Sequence, residues 1–414
     1  MYRVSINSIR FRDQTNKRNA QRQPAEHTHW YFAHMNRNAD NALPAIGSAL
    51  IVGASGRMAA GMLSRMGVQC SVADLYGDSD TATICAGRVK RLGRIADLLQ
   101  LESFVRQHDF VLFTGGFEGN FQVAQKLAHW SRSVFSSVAA ARHLIAVETF
   151  NDALLKCCVE RYPFIDADQI SKWPAVAKDV MHSASCSRVD SMEQWQAQRS
   201  SNRILQEFIE GESVSQIYLA GGEAVECLGG TIQLTESLTW SGSISGVELS
   251  DRDRSAALKF ATALVSGSQF TGVFGIDFIV NRNGIWPVDI NPRIPASAEI
   301  VGQHVIRRHL RAFGIHCDQA AVPNHPHVIG KAVIFNRSGV PIRFSRKLLA
   351  AFPVRCESLP CETSIADIPG CGTVIETGKP VLTVFASGES QQEVRAKLSA
   401  LQQKILRRLG QEKA

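Results

Sequence analysis

Apolar and polar positions near the start of the folded region follow the order strand, turn, helix, strand. An apolar run over residues 49–52 ends in the small-residue turn 53–57, a helical pattern covers 58–66, and a second strand over 69–73 ends at Asp74. This order is typical of a doubly wound α/β unit. The turn lacks the full glycine pattern of a dinucleotide site, and a tight strand-to-helix turn that excludes bulky residues explains it equally well.

A third strand is predicted over residues 110–113, and it runs into the glycine-containing loop 114–120. Open α/β sheets bind ligands at the carboxyl ends of their parallel strands. The loop 114–120 is therefore a candidate substrate site.

The C-terminal part of the chain predicts a small α/β region. Strands are predicted over residues 328–335 and 381–386, and Ser390 with Glu393 forms a capping box for a final helix. The apolar positions of this helix have helical spacing and predict packing against a core; they are Val394, Leu398, Leu401, Ile405 and Leu409.

Composition and charge narrow the class of protein. The chain of 414 residues is long enough for two or three domains, and 45% hydrophobic and 20% charged residues are ordinary for a soluble globular protein. More than half of the formal net charge of +7 lies in residues 1–40, which carry seven Arg or Lys and three Asp or Glu. We interpret residues 1–46 as a basic, disordered extension, with an organellar transit peptide as the alternative. The remainder is close to neutral, which argues against nucleic-acid binding.

Two further patterns concern the compartment. The sequence has no apolar run of membrane-spanning length and no secretory signal before its first long apolar stretch. The ten cysteines are scattered, and Cys356 and Cys361, the nearest pair in the C-terminal region, lack C-x-x-C spacing. The sequence therefore predicts reduced thiols, no membrane association and a cytoplasmic location.

Residues 275–291 contain the most informative pattern, two alternating strands joined by a turn with an Asn-Gly pair. A three-residue loop, 282–284, places Asp277 opposite Asp289. Since side chains alternate with period two, Asn291 shares a face with Asp289. Two carboxylates and one amide oxygen are therefore expected to converge on one patch of the sheet.

The two opposed acids favour a cation. Like charges directly opposite each other destabilise a strand pair, and a bound cation removes this penalty. Oxygen ligands with few geometric restraints suit Mg²⁺ or Mn²⁺ shared with nucleotide phosphates better than zinc. Arg293 follows the hairpin and is a strong donor to phosphate or carboxylate. On the hairpin alone, two solvent-facing acids remain an equal alternative.

The motifs around the hairpin closely resemble the metal-binding core of the ATP-grasp superfamily. They are residues 275–278, the Asp-x-Asn-Pro-Arg segment 289–293 and the segment 296–299. The family has an acid on one strand and an acid-x-Asn-Pro-Arg on the next, with Glu more common where Asp289 stands. The resemblance implies three ligands for Mg²⁺ (or Mn²⁺) and one catalytic arginine: Asp277, Asp289, Asn291 and Arg293.

The resemblance extends over about residues 136–308. Lys178, in a Pro-x-x-x-Lys context, matches the family lysine that contacts the α- and β-phosphates of ATP, which implies a catalytic and nucleotide-binding role. The segment Gln206-Glu207-Phe208-Ile209 resembles the interdomain strand that holds adenine, and Glu212 matches the acid that binds the ribose hydroxyls.

Two features depart from the family pattern. The phosphate loop after the lysine is usually rich in glycine, whereas residues 182–187 contain none, although backbone amides there can still bind phosphate. The second ATP-binding lysine has no clear position, and Arg142 and Lys156 are the candidates.

The predicted fold class is multidomain α/β and α+β. After the extension 1–46, residues 47–135 form a doubly wound α/β unit, and residues 136–325 form an ATP-grasp domain of two α+β subdomains. Residues 326–414 form a small C-terminal α/β domain, which looks like that of carboligase-like members related to biotin carboxylase and carbamoyl-phosphate synthase. The match is closest to a group of predicted ATP-grasp proteins, some associated with tetrahydromethanopterin-linked one-carbon metabolism.

The resemblance implies an ATP- and Mg²⁺-dependent ligase that activates a small-molecule carboxylate as an acyl phosphate for attack by an amine. A bicarbonate-activating carboxylase is one alternative, although the sequence has no biotin-attachment Met-Lys-Met. A non-catalytic ATP-binding module is a second, and a nicotinamide dehydrogenase, based on the turn 53–57 alone, is a third. Dimers are common in such ligases, so a homodimer is among the expected assemblies. No motif identifies the two substrates.

Overall fold

The computed structural model describes most of the chain from residue 47 onward. The described residues are 47–157, 164–165, 173–179, 182–200, 203–222, 224–317, 327–350, 352 and 363–410. The predictions for the extension 1–46 and for Cys356 and Cys361 lie outside these residues.

The N-terminal region has the doubly wound arrangement that the apolar pattern predicts. Its parallel sheet has the described strand order β3-β2-β1-β4-β5. The elements are β1 (Ser48–Gly53), α1 (Arg57–Ser64), β2 (Gln69–Asp74), α2 (Ser79–Ile84), β3 (Val89–Arg91), a 3₁₀ helix (Ile95–Gln100), α3 (Glu102–Val105), β4 (Phe110–Phe113), α4 (Phe121–Leu127) and β5 (Ser133–Val134). The strand order reverses between β1 and β4, so the turn 53–57 and the loop 114–120 flank the switch point of the sheet.

A second, antiparallel sheet follows two helices. Its described strand order is β6-β9-β7-β8. The elements are α5 (Val138–Ile145), α6 (Val147–Lys156), β6 (Phe164–Ile165), β7 (Ala175–Asp179), β8 (His182–Val189), α7 (Met192–Gln198) and β9 (Arg203–Glu207). The last two residues of β9, Gln206 and Glu207, are the first two of the segment expected to hold adenine.

The third sheet contains the carboxylate hairpin. Its described strand order is β14-β13-β10-β11-β12-β15-β19-β17. The first part comprises β10 (Glu212–Gly221), β11 (Ala224–Glu236), β12 (Thr239–Ser245), α8 (Asp251–Val265), β13 (Gly272–Asn281), β14 (Gly284–Asn291), α9 (Ala298–Val301) and α10 (His304–Ala312).

The C-terminal region adds its strands to this same sheet. Its elements are β15 (Val328–Phe335), β16 (Ile342–Arg343), α11 (Arg346–Ala350), β17 (Thr363–Ala366), β18 (Val374–Ile375), β19 (Pro380–Gly388) and α12 (Gln391–Arg408). Strand β15 pairs with β12, so β15, β19 and β17 share a sheet with the strands that carry the hairpin. Strands β16 and β18 form a separate small sheet. In α12, Val394, Leu398 and Ile405 are buried, which confirms the predicted apolar face.

The packing of α8 against β13 determines which face of the sheet carries the side chain of Asp277. Phe260 and Leu264 of α8 are buried in one cluster with Ile276 and Phe278 of β13. Burial of such a side chain stabilises the fold by about 1.5–3 kcal/mol. Because side chains alternate along a strand, burying Ile276 and Phe278 turns Asp277 to the opposite face.

Within the described residues, no helix combines the length and the apolar character that a membrane crossing requires.

Because of His309, we expect the free energy of unfolding to decrease as the pH drops from about 6.5 toward about 4. It is 3% exposed, its Nδ1 accepts a hydrogen bond from Val273 N (2.9 Å), and its Nε2 lies 3.3 Å from Val134 O. Burial lowers the pKa of His309 from 6.5 to about 4, so the unfolded chain binds a proton that the folded chain excludes. The stabilisation is complete above pH 6.5 and is lost on acidification, with a slope of up to about 1.4 kcal/mol per pH unit.

Urea denaturation at about pH 7 and about pH 5 measures this effect. His309→Gln should lower stability at the higher pH but show a smaller further loss at the lower pH than the wild type. His129→Gln, at an exposed position, is the matched control. Equal acid losses in the wild type and His309→Gln would contradict the assignment.

Candidate functional site

Asp277 and Asp289 are paired across strands β13 and β14, as the sequence predicts. The predicted three-residue loop, however, is wrong. Asn281 pairs with Gly284, so the turn contains only residues 282–283. A shorter turn alone would shift every later pair by one residue and place the two acids out of register.

A β-bulge at Val288 restores the pairing. Phe278 pairs with Pro287 and the next pair is Asp277 with Asp289, so Val288 has no cross-strand partner. Its carbonyl accepts hydrogen bonds from Lys178 Nζ (2.7 Å) and Gln206 Nε2 (3.0 Å). Bulges are common beside functional sites because they redirect backbone groups. Here the bulge ties the hairpin to the antiparallel sheet that carries Lys178.

The three predicted metal ligands converge. Asn291 Nδ2 lies 3.4 Å from Asp277 Oδ2 and 3.5 Å from Asp289 Oδ2. Burial raises the pKa of Asp277 to about 6, and repulsion from Asp289 adds to the increase. Two partly desolvated acids beside one amide therefore form a strongly cation-attracting patch.

Lys178 joins this patch from strand β7. Its side chain is 11% exposed, and Nζ donates to Asp289 Oδ1 at 2.6 Å. Arg293 lies on the other side, where Nη2 donates to Asn291 Oδ1 (3.1 Å) and Nε to Glu118 Oε1 (2.5 Å). Two cations therefore flank two carboxylates at one end of the site.

A cavity of about 870 Å³ extends from this patch. All ten site residues predicted from the sequence line it: Lys178, Gln206, Glu207, Phe208, Ile209, Glu212, Asp277, Asp289, Asn291 and Arg293. The lysine, the acids and the arginine are joined by hydrogen bonds at the hairpin. The segment 206–209 and Glu212 lie at the end of β9 and the start of β10. The structure therefore gathers residues that are far apart in the sequence around one cavity.

Two expectations about the phosphate end are not met. Residues 182–187 do not form a loop but belong to strand β8, whose backbone pairs with β7 over Lys178–Cys186 and Ala177–Ser187. Neither Arg142 nor Lys156 lines the cavity. The guanidinium of Arg142 lies over the ring of Phe121 instead, 5.6 Å from its centroid. Among the described residues, Lys178 and Arg293 are the cations at the hairpin end of the cavity.

Sequence reasoning missed several lining residues, and two of them carry polar or charged groups from distant elements. Trp240 of β12 lines the cavity, and its indole Nε1 donates to Ser243 Oγ (3.0 Å). Arg395 of α12 also lines it, with Nη2 at 3.8 Å from Glu212 Oε1. No local motif marks either residue, because each reaches the cavity only through the long sheet that joins β10 to the C-terminal strands.

The glycine turn after β1 serves the packing of the fold. A Cβ on Gly53 would lie 2.1 Å from Thr114 Oγ1, so the close approach of β4 requires glycine there. The Gly56 amide, at the start of α1, donates to Asp74 Oδ2 (2.8 Å) and is not available to a phosphate. These contacts favour the tight-turn interpretation of residues 53–57 over the dinucleotide site.

Comparisons with known proteins agree with this architecture. A family model described as an ATP-grasp domain matches residues 150–297. The chain is similar in structure to N5-carboxyaminoimidazole ribonucleotide synthetase from Thermotoga maritima, with a TM-score of 0.61 and 15% identity over 86% of this chain and 98% of that one. No curated protein sequence gives a significant match.

Two other solved structures have the same fold. The L-amino acid ligase from Bacillus licheniformis has a TM-score of 0.61 and 15% identity, over 86% of this chain and 97% of that one. The biotin carboxylase domain of the Hydrogenobacter thermophilus 2-oxoglutarate carboxylase has a TM-score of 0.64 and 10% identity, over 86% and 89%. The mixed α/β chain therefore has the ATP-grasp fold, and residues 150–297 match the model of the ATP-grasp domain.

Proposed function

We propose that this protein is an ATP- and Mg²⁺-dependent ligase that activates a small-molecule carboxylate as an acyl phosphate for attack by an amine. The observation that carries the proposal is the single cavity lined by Lys178, the hairpin acids and the segment 206–212. An opposed pair of acids between two cations suits a polyanion with its metal ion. Phosphoryl transfer depends mainly on such positioning and charge neutralisation.

The hairpin donors fit a magnesium ion. Mg²⁺ is usually held by one or two carboxylates and by substrate phosphates, and it keeps several waters. Asp277 and Asp289 would supply the carboxylates, and Asn291 would supply its amide oxygen, which here accepts a hydrogen bond from Arg293 Nη2. An ion held there would neutralise charge on the phosphates.

The roles of the remaining residues follow from their positions. We assign Lys178 to the phosphate oxygens, because its Nζ lies at the hairpin end of the cavity, 2.6 Å from Asp289 Oδ1. Arg293 stabilises negative charge on the transferred phosphoryl group. We assign adenine to the segment 206–209 and the ribose hydroxyls to Glu212, the exposed first residue of β10.

The proposed substrate class is supported by the structural neighbours. One is an L-amino acid ligase, and another is a biotin carboxylase domain in complex with MgADP and bicarbonate. Bicarbonate in place of an organic carboxylate is therefore the second candidate. That neighbour was crystallised as a dimer, and we propose a homodimer here, to be checked by light scattering.

Release of ADP and phosphate from Mg-ATP should require both a carboxylic acid and an amine. A panel of acids, each with and without amines, measures this directly. Phosphate release with bicarbonate alone would favour the carboxylase-like alternative. Tight ATP binding without turnover on any member of the panel would favour the non-catalytic module, and nicotinamide binding that ATP does not displace would favour a dehydrogenase.

A further inference from the structure

The loop after β4 reaches across the fold to the arginine at the metal end of the cavity. Glu118 lies 175 residues before Arg293 in the chain, yet its Oε1 accepts a hydrogen bond of 2.5 Å from Arg293 Nε. Its other oxygen, Oε2, accepts from Gly116 N at 3.1 Å. Each carboxylate oxygen therefore has its own donor, and the carboxylate is fixed in one orientation.

The backbone of the same loop packs against the guanidinium. A Cβ on Gly115 would lie 3.3 Å from both Cζ and Nε of Arg293, closer than most real Cβ contacts. Gly116 has a φ of +98°, which glycine adopts without strain. Gly115 thus packs against the guanidinium, and Gly116 turns the chain so that Glu118 can bond to Nε.

The guanidinium is consequently held along one edge. Nε bonds to Glu118 and Nη2 to Asn291, whereas Nη1 takes part in no hydrogen bond with the described residues. The side chains of Arg293 and Glu118 are 21% and 14% exposed, so water screens their pairing only weakly. Arg293 lines the cavity, and its terminal nitrogen is the group left for a ligand.

Electrostatics support a stable, charged pair. Burial alone raises the pKa of Glu118, but the charge of Arg293 and the backbone amides outweigh it and leave the pKa below its ordinary value. Burial lowers the pKa of Arg293, and Glu118 followed by Asp277 and Asp289 more than offsets this. Both groups therefore remain ionised at neutral pH.

We propose that Glu118 is a positioning residue, which orients Arg293 so that its terminal nitrogen Nη1 binds a phosphate group beside the carboxylate hairpin. The loop 114–120 thereby belongs to the site through Arg293, without itself touching the phosphate. The identity of the anion as a phosphate rests on the proposed ligase function. The contact between Glu118 and Arg293 is independent of that proposal.

Calorimetric titration of inorganic phosphate into the full chain, with and without saturating Mg-ADP, tests this role. Glu118→Ala should weaken phosphate binding by about tenfold or more, as expected for loss of a charged hydrogen bond. Glu118→Gln keeps an oxygen acceptor for Nε and should stay within about threefold of the wild type. Arg293→Met should abolish phosphate binding, and the affinity for Mg-ADP should be unchanged in both Glu118 variants.

Matched controls separate positioning from general damage. Glu102→Ala removes an exposed acid of the same region, paired with Arg106, and should leave phosphate binding unchanged. If Glu118→Ala does not fold, Gly115→Ala decides, because its added methyl group displaces the guanidinium and should also weaken phosphate binding.

The outcomes distinguish this inference from the proposed function. Unchanged or tighter phosphate binding by Glu118→Ala, or no phosphate binding by the wild type under either condition, would overturn the positioning role. Failure of the wild type to bind Mg-ADP would overturn the ligase proposal instead. In that case the titration without nucleotide still measures whether Glu118 affects phosphate binding by Arg293.

Discussion

Asp289→Asn is expected to reduce Mg-ATP turnover by about a thousandfold or more while leaving the chain folded. Asp289 is one of two opposed carboxylates, and its Oδ1 receives the hydrogen bond from Lys178 Nζ. The substitution removes a proposed metal ligand and the charged partner of the lysine together. Both changes act on the hairpin end of the cavity.

The same substitution should have little effect on stability. Burial raises the pKa of Asp277 to about 6 and repulsion from Asp289 contributes, so neutralising Asp289 removes a repulsive interaction from the ligand-free protein. The asparagine oxygen can still accept from Lys178 Nζ. The two effects oppose each other, and we expect the free energy of unfolding to change by less than about 1 kcal/mol.

Two measurements on one preparation check this prediction. Phosphate release from Mg-ATP gives the activity, and the thermal midpoint with and without Mg-ATP gives the binding, because a ligand of the folded state raises that midpoint. Asp251→Asn, at a fully exposed side chain at the start of α8, is the control. If the activity of Asp289→Asn stays within tenfold of the wild type, the hairpin is not part of the active site.

The site was predictable where the pattern is local. Asp277, Asp289 and Asn291 lie within one hairpin. Alternation of side chains brings Asp289 and Asn291 to one face, and the bulge at Val288 brings Asp277 opposite Asp289. The error in the loop had a visible signal, because Pro287 cannot donate to a strand pair and is typical of an edge strand or a bulge. Strand β14 is the edge of its sheet and has its bulge at the next residue, Val288.

The features that escaped prediction depend on tertiary contacts. Residues 182–187 are small and polar, which favours a loop, yet pairing with β7 makes them a strand. Arg395 reaches the cavity, and Glu118 reaches Arg293, from distant parts of the chain, and no local motif predicts either contact. Propensity and spacing describe neighbours along the chain, whereas these roles arise from sheet order.

Arg57→Met is expected to lower the free energy of unfolding by about 3–5 kcal/mol, the largest loss of stability that we predict. Arg57, the first residue of α1, is 7% exposed. Its Nη1 and Nη2 donate to the two oxygens of Glu299 at 2.6 and 2.8 Å, and Nε donates to Asp367 Oδ1 at 2.6 Å. Lys331 Nζ also donates to Glu299, at 3.1 Å.

The effect is large because the substitution leaves two acids without their cationic partner. Burial raises the pKa of Glu299, but Arg57 first and Lys331 second lower it to about 2. Without the guanidinium, Glu299 keeps the hydrogen bond from Lys331 but loses both bonds from Arg57, and Asp367 loses its buried cation. Removing one partner of a buried ion pair leaves a desolvated charge, which costs more than the pair contributes. The stabilisation by Glu299 is present above its ordinary pKa of 4.5 and is lost as the pH falls toward about 2.

Urea unfolding of Arg57→Met beside Arg94→Met isolates the role of burial. Arg94 also pairs with an acid, Asp97, at 3.1 Å, but its side chain is 79% exposed. Such surface pairs contribute little, and we expect Arg94→Met to change stability by less than about 1 kcal/mol. Equal losses in the two variants would show that the buried cluster does not hold α1 to the segment around Glu299. A loss confined to Arg57→Met would show that the N-terminal region and the sheet that carries the hairpin are joined by charge as well as by apolar packing.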